Sequence, residues 1–199
     1  MNELAIGGRI INLRENLNMS EPVINNVNAI DYNSLILRCK TDKRCLEILY
    51  NSLKKGVFAI AYSIVKDHHL AEDCVAETFV RLVNVKRFSA GGGDGKGFIF
   101  KIARNVAMEQ YRRYKREDYD AEIHSCGNDR IDRNVEDSFY LDQLLKNLND
   151  KQRQVVILRC YNDLSFKEIG SILKIPVTTV KSRYKKSIEI LQGKAGVKL

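Results

Sequence analysis

The sequence predicts an all-α protein built from two small helical domains, and three observations lead there. Apolar residues recur every three or four positions along most of the chain, which is the helical period. Strand signals are few. An acidic stretch without aliphatic periodicity splits the helical pattern in two. With 199 residues, 44% of them hydrophobic, the chain has material for one or two modest cores.

The elements follow in order. The first thirty residues show no strong pattern and are read as a mobile extension. Leu46, Leu49, Leu53, Val57, Ile60 and Ile64 define a long amphipathic helix over 44–65, with Lys66-Asp67-His68-His69 as its exit. Leu70, Cys74, Phe79 and Leu82 set a second helix over 70–83. Residues 89–97, rich in glycine, read as a loop. Phe98, Ile102 and Val106 face inward from a third helix over 98–116. Residues 117–137 hold eight acidic and two basic residues, a net of −6 against +14 for the remainder, and read as a flexible linker. Beyond it, Leu141, Leu144, Leu145 and Leu148 form an apolar stripe. Asn149 or Asp150 caps a helix over 151–160. Ser165-Phe166-Lys167-Glu168 is a capping box opening a helix that ends near Leu173. Pro176 suits the entry to a last helix over 177–191. The expected domains are therefore 31–116 and 138–199.

Charge and cysteines narrow the function. The formal net charge is +8, which favours an anionic partner such as nucleic acid or a membrane surface. No apolar run approaches the ~20 residues of a membrane span, and the N-terminus lacks the pattern of a signal peptide. A cytoplasmic protein is expected. Cys39, Cys45, Cys74, Cys126 and Cys160 are odd in number and form no CxxC pair, so free thiols are expected and no metal site. Only His68, His69 and His124 offer an imidazole base, and none lies in a nucleophile motif, so no catalytic residue and no cofactor are assigned. Gly95-Lys96-Gly97 departs from the Walker pattern, which demands Ser or Thr after the lysine.

Three segments carry the remaining chemistry. Residues 165–186, SFKEIGSILKIPVTTVKSRYKK, form a helix-turn-helix candidate: a capped first helix, a small Gly170 at the crossing, and a basic second helix. Thr178, Thr179, Lys181 and Ser182 would face base edges, and Arg183, Lys185 and Lys186 the phosphates. Lys174 holds the turn position usually given to glycine. Residues 101–116 carry six basic residues against one Glu, with Tyr111 and Tyr114 among them, a composition suited to phosphates and unpaired bases. The bland alternative is a solvated basic face. Residues 71–82, AEDCVAETFVRL, place acids on the early turns of a helix beside Phe79. They read either as macrodipole complement or as a protein-docking surface.

Together, DHHLAEDCVAETFVRLV, FIFKIARNVAMEQYRR and LSFKEIGSILKIPVTTVKSRYKKSIEIL, in this order around an acidic segment, resemble a bacterial RNA polymerase sigma factor of the extracytoplasmic-function (ECF) group of the sigma-70 family. The likeness spans about 35–116 and 138–192. It implies that Asp73, Glu77 and Phe79 dock on core RNA polymerase. It also implies that Arg104, Asn105, Arg112 and Arg113 engage the −10 element of promoter DNA, with Asn105 at an extruded base. Thr178, Thr179, Lys181, Ser182 and Arg183 would read the −35 element. The linker would thread near the RNA path, where its negative charge mimics RNA. The implied partners are core polymerase, promoter DNA and an anti-sigma factor, with the chain monomeric on the polymerase and not inserted in a membrane. Phe100 stands where the family often has Trp.

Two other readings use less of the chain. A stand-alone helix-turn-helix regulator, dimeric on duplex operators, draws only on 165–192. A helical adaptor or enzyme would leave both basic helices as mere solubility.

Overall fold

The computed structural model describes residues 3–6, 9–12, 30–88, 95–121 and 145–195, with side chains over 30–88, 95–116 and 145–192. Seven helices lie in these stretches: α1 (Tyr32–Arg38), α2 (Lys43–Val65), α3 (His68–Asn84), α4 (Gly95–Ala121), α5 (Asp150–Val156), α6 (Phe166–Leu173) and α7 (Val177–Ala195). A π-helical turn, Ile157–Tyr161, extends α5. The all-α expectation holds for both domains. The N-terminal extension departs from it: Glu3–Ile6 and Arg9–Asn12 pair as an antiparallel hairpin, β1 and β2, with Glu3 opposite Asn12 and Ile6 opposite Arg9. Gly7-Gly8 stand between the strands, the residue types that two-residue hairpin connections favour.

Short polar side chains set the helix starts. Asp31 accepts from the Asn33 and Ser34 amides at α1, a helix the periodicity did not reveal. Asp42 and Asp67 cap α2 and α3 through the Arg44 and Leu70 amides. Asn149, rather than Asp150, caps α5 in a reciprocal box with Gln152. The Ser165 box forms as expected: its hydroxyl accepts from the Glu168 amide, and the Glu168 carboxylate accepts from the Ser165 amide at 2.7 Å. Of the anticipated loop 89–97, residues 95–97 already belong to α4 and the rest lie outside the described residues. Helix α4 also continues five residues past Arg116. The remaining linker, Leu141 and Leu144 lie outside the described residues, while Leu145 and Leu148 are buried.

Lys174 ends α6 in the left-handed region, φ 55° and ψ 47°. A Cβ there costs about 1–2 kcal/mol, partly offset by the extra unfolded freedom that glycine brings. Lys174→Gly is therefore expected to raise stability by about 0.5–1 kcal/mol, read as a higher urea midpoint at unchanged slope. A lower midpoint would show that the turn is unstrained.

The sequence left open whether the two helical modules build one core or two. One buried cluster runs from Ile36 to Leu191 and takes in both regions. A smaller cluster under α2, α3 and α4 includes Ile64, Ala71 and Val106. Helix α2 packs against α5 and the π-turn, and the N-terminal half of α4 against α6. Gly56, in the middle of α2, is where the regions come closest. A Cβ there would run into the Asn162 side-chain amide and meet Phe100 Cζ at 3.0 Å. Glycine inside a helix costs about 0.5–1 kcal/mol relative to alanine, so close approach is what this position gains. Lys66 and Asp150 add an ion pair across the same boundary at 3.1 Å. The physical reason is apolar area: two bundles this small bury more of it by sharing a core.

Candidate nucleic-acid and polymerase interface

Helix α3 presents the acidic face. Asp73 is exposed, and no ion pair involving it occurs among the described residues. Glu77 is engaged: its carboxylate accepts from Arg81 Nε at 2.7 Å, and Arg81 Nη1 reaches Glu109 of α4, also at 2.7 Å. These two carboxylates hold the Arg81 guanidinium above its ordinary pKa, Glu77 contributing most. Arg81 thus ties α3 to α4, and Glu77 holds its guanidinium from within α3. Phe79 corrects the expectation of an exposed anchor. It is 6% exposed and meets the Tyr50 ring edge-on at 5.0 Å, so it belongs to the core. The apolar groups that do face outward here are Val80 and Tyr50, 55% and 40% exposed.

His68, His69 and Glu72 bring three potential ligand atoms within 4.8 Å at the start of α3. Both imidazoles lie nearest the Glu72 carboxylate, at 3.7 and 3.9 Å. Among the described residues no fourth ligand joins them. The positive end of a helix also disfavours a cation, so the arrangement reads as charge complement.

Cys39, Cys45, Cys74 and Cys160 are buried. Burial, reinforced by Asp73, pushes the Cys74 thiol from 9.0 up to about 11. Because the raised group is the protonated thiol, its contribution to stability is full below about pH 9 and is lost as pH rises through about 11. These four thiols are expected to react with a thiol reagent at pH 8 only once the chain is unfolded, counted by mass before and after denaturation. Prompt labelling of any of them in the native protein would contradict the packing.

Helix α4 carries the first basic face. Arg112, Arg113, Tyr114, Lys115 and Arg116 are exposed, and Lys115 lies over the Tyr111 ring at 5.3 Å. Arg104 and Asn105 sit one to two turns earlier and are half-buried. Arg104 Nε is buried with no hydrogen-bond partner. Burial, then repulsion from Arg112, lowers the Arg104 pKa. An incoming acceptor, such as a phosphate or base oxygen, would satisfy that donor.

The second basic face is α7. Thr178, Lys181, Ser182, Lys185 and Lys186 are exposed, and Thr179 and Arg183 are half-exposed. Helix α6 holds α7 at its start: a Cβ on Gly170 would lie 3.0 Å from the Ile175 carbonyl and 3.5 Å from Val177 Cγ2. Val180 is fully buried on the side opposite the exposed residues. Further along, Tyr184 packs edge-on to Phe166 at 5.4 Å, and Arg159 lies over the Phe166 ring at 4.9 Å. Burial and the contact with Cys160 raise the Tyr184 pKa. The result is a rigid helix-turn-helix offering one polar, basic face.

Two family models divide the chain at the same places as the fold. Sigma-70 region 2 matches residues 49–117, and Sigma-70, region 4 matches 138–191, together more than half of the chain. This protein is an ECF sigma factor of the sigma-70 family. It is 28% identical over 170 residues to the ECF RNA polymerase sigma factor SigW of Bacillus subtilis (strain 168), covering 77% of this chain and 90% of the relative. It is 27% identical to SigM of the same organism, over 69% and 86% of the two chains. Among solved structures, it resembles the sigma factor RpoE in complex with the anti-sigma factor NepR from Bartonella quintana. The TM-score there is 0.60 at 25% identity, over 76% of this chain and 94% of that one. CnrH, solved with the cytosolic domain of CnrY, shares the fold at TM-score 0.61 and 18% identity, over 82% and 96%.

In this sigma factor, region 2 therefore comprises α4, α3 and most of α2, and region 4 comprises α5 to α7. Sequence reasoning missed the Arg81–Glu109 bridge and the Gly56–Asn162 contact. A lone glycine amid an apolar helical pattern was the available signal for the second. Among the described residues no helix is long and apolar enough to cross a membrane.

Proposed function

We propose that the chain works in the cytoplasm, binds core RNA polymerase through the outer face of α3, and directs initiation at promoters through α4 and α7. The observation that carries this is two separate exposed basic helices, each held by a buried apolar scaffold, in the order region 2 then region 4. Asp73 supplies the docking charge, with Val80 and Tyr50 replacing Phe79 as apolar contacts. Glu77 acts by positioning Arg81, which bridges α3 to Glu109 of α4. Arg104 and Asn105 meet the unpaired strand of the −10 element, and Arg112 and Arg113 hold its backbone. Thr178, Thr179, Lys181, Ser182 and Arg183 read the −35 duplex, with Lys185 and Lys186 on phosphates. Extruding a base costs a few kcal/mol, which a half-buried donor pair and a basic helix repay. An anti-sigma protein is the further partner, since RpoE, which this chain resembles, was solved with one bound.

In vitro transcription tests the reading. Core polymerase plus this chain should produce a defined start on promoters of the native cell, and core alone should not. Duplex binding without polymerase and without initiation would favour the stand-alone regulator. Arg183→Ala is expected to weaken −35 binding by about 1–3 kcal/mol if its contact is bidentate to a base. The loss should appear only on templates with an intact −35 element.

A further inference from the structure

We propose that the N-terminal bundle carries a second phosphate-binding surface, a cationic corner made by Lys43 and Arg44 at the start of α2 and Lys86 and Arg87 after α3. It would hold the DNA backbone at the far end of the bundle from Arg112 and Arg113. That the DNA is a promoter rests on the function proposed above.

The two halves of the corner are far apart in sequence, and the fold joins them. Lys40, in the turn between α1 and α2, donates from Nζ to the Val85 carbonyl at the end of α3. Lys86 and Arg87 follow directly and are exposed. Their segment is fixed at its other end too, where the Phe88 ring packs on Phe98 of α4 at 4.9 Å. On the opposite side, the Asp42 carboxylate accepts from the Arg44 amide at 2.9 Å and from Arg38 Nη2 at 3.0 Å. That acid is therefore occupied within its own turn. The next acid in sequence is exposed Glu47, one turn into α2. Lys43 and Arg44 are exposed as well. Among the described residues, Lys43, Arg44, Lys86 and Arg87 take part in no ion pair and no side-chain hydrogen bond.

Local preference opposes this placement. The start of an α-helix is its positive end, which favours acids and disfavours Lys and Arg. Helix α2 has no acid in its first turn and opens on two cations instead. Lys86 and Arg87 add like charge beside them. Cations gathered on fixed segments against local rules gain from an external polyanion what the chain does not supply. Continuity with the basic half of α4 identifies that polyanion as DNA. Gly95 opens α4 against α1, where a Cβ would lie 2.8 Å from Ile36 Cδ1 and 2.9 Å from Asn33 Oδ1. The corner therefore stands at the start of α4. Arg112 comes seventeen residues after Gly95, about 25 Å along the helix at ~1.5 Å per residue. No single phosphate serves both places. Along one strand that length is about seven nucleotide steps at ~3.4 Å each. Lys101, exposed, lies between the two ends. Lys43 and Arg44 also precede residue 49, where the region 2 match begins, so this half of the corner is an addition to the matched segment.

The salt dependence of promoter binding, measured on core polymerase carrying the full chain, tests the corner. Each neutralised phosphate adds about 0.9 to the slope of log affinity against log salt on duplex, and about 0.7 on a single strand. Lys43→Gln, Arg44→Gln, Lys86→Gln and Arg87→Gln together should lower that slope by about 3 and the affinity at least about tenfold. Co-purification with core polymerase should be unchanged. Lys146→Gln with Lys151→Gln, exposed cations of region 4 outside both basic faces, should leave the slope as it is. A drop below about 1 in the fourfold variant, or an equal drop per residue in the region 4 variant, overturns the proposal. Loss of core binding would make the corner a polymerase contact and overturn it as well. Should the fourfold variant not fold, its two pairs are measured apart. Each pair is expected to lower the slope by about 1.5, and a drop below about 0.5 in either overturns the corner. If the unaltered chain forms no promoter complex with core polymerase, the sigma reading fails. The slopes of the free full chain on a random-sequence duplex then decide the phosphate contact by the same thresholds.

Discussion

Asp73→Arg is expected to remove binding to core polymerase while leaving the fold intact. The side chain is exposed, makes no described ion pair, and lies on the outer face of α3. Reversing its charge therefore changes the surface field and little else. Where a rim charge only steers association, such a change lowers the on-rate severalfold. Where it meets a desolvated cation, the cost is about 2–5 kcal/mol, or a thirtyfold loss or more. The second regime is expected, because Val80, exposed and two helical turns along the same face, gives that face an apolar group to exclude water. Co-purification with core polymerase and promoter-directed transcription should both fail, with helical circular dichroism and thermal midpoint unchanged. Binding within threefold of the unaltered chain would move the docking site elsewhere. Glu77→Gln makes a useful contrast. It loosens the Arg81 side chain that bridges α3 to Glu109 of α4, so its effect should appear in stability first.

Phe100→Ala is expected to cost about 3–5 kcal/mol, a large share of a typical domain's ~5–15 kcal/mol. The ring is fully buried in the shared core and lies under the Gly56–Asn162 seat. Truncation would leave a cavity that neither α2 nor the π-turn can fill without moving the other. Urea denaturation should show a midpoint shift of that size. Because the ring serves both regions, probes in region 2 and region 4 should report the loss together. A loss below about 1 kcal/mol would mean the site collapses freely or is not shared. Phe100→Trp bears on the family resemblance, since Trp is common at this position there.

Much of the local architecture was legible before any coordinates. The Ser165–Glu168 box, the left-handed Lys174, the small Gly170 and the exposed side of α7 all follow from rules acting over three to five residues. The same holds for α2, whose bounds differ from the periodicity by one residue. Reading failed where the deciding neighbour was far away in sequence. Phe79 shares an apolar face with Leu70, Cys74 and Leu82 yet lies two residues from Glu77 and Arg81, which suits core or anchor, and its contact with Tyr50 of α2 shows it to be core. Glu77 reads as a docking acid until Arg81, itself bridged to Glu109, occupies it. The N-terminal hairpin was missed because it is short and because helical periodicity dominates the rest.

By itself, the sequence determined the helices, their caps, the helix-turn-helix and the two basic faces, since short-range hydrogen bonding and a 3.6-residue period fix these. The tertiary structure alone decided which acids remain free to dock, which aromatic ring is inside, and that two bundles share one core. Those outcomes depend on packing between segments a hundred residues apart, such as Gly56 and Asn162, where the shape of each surface has meaning only against the other.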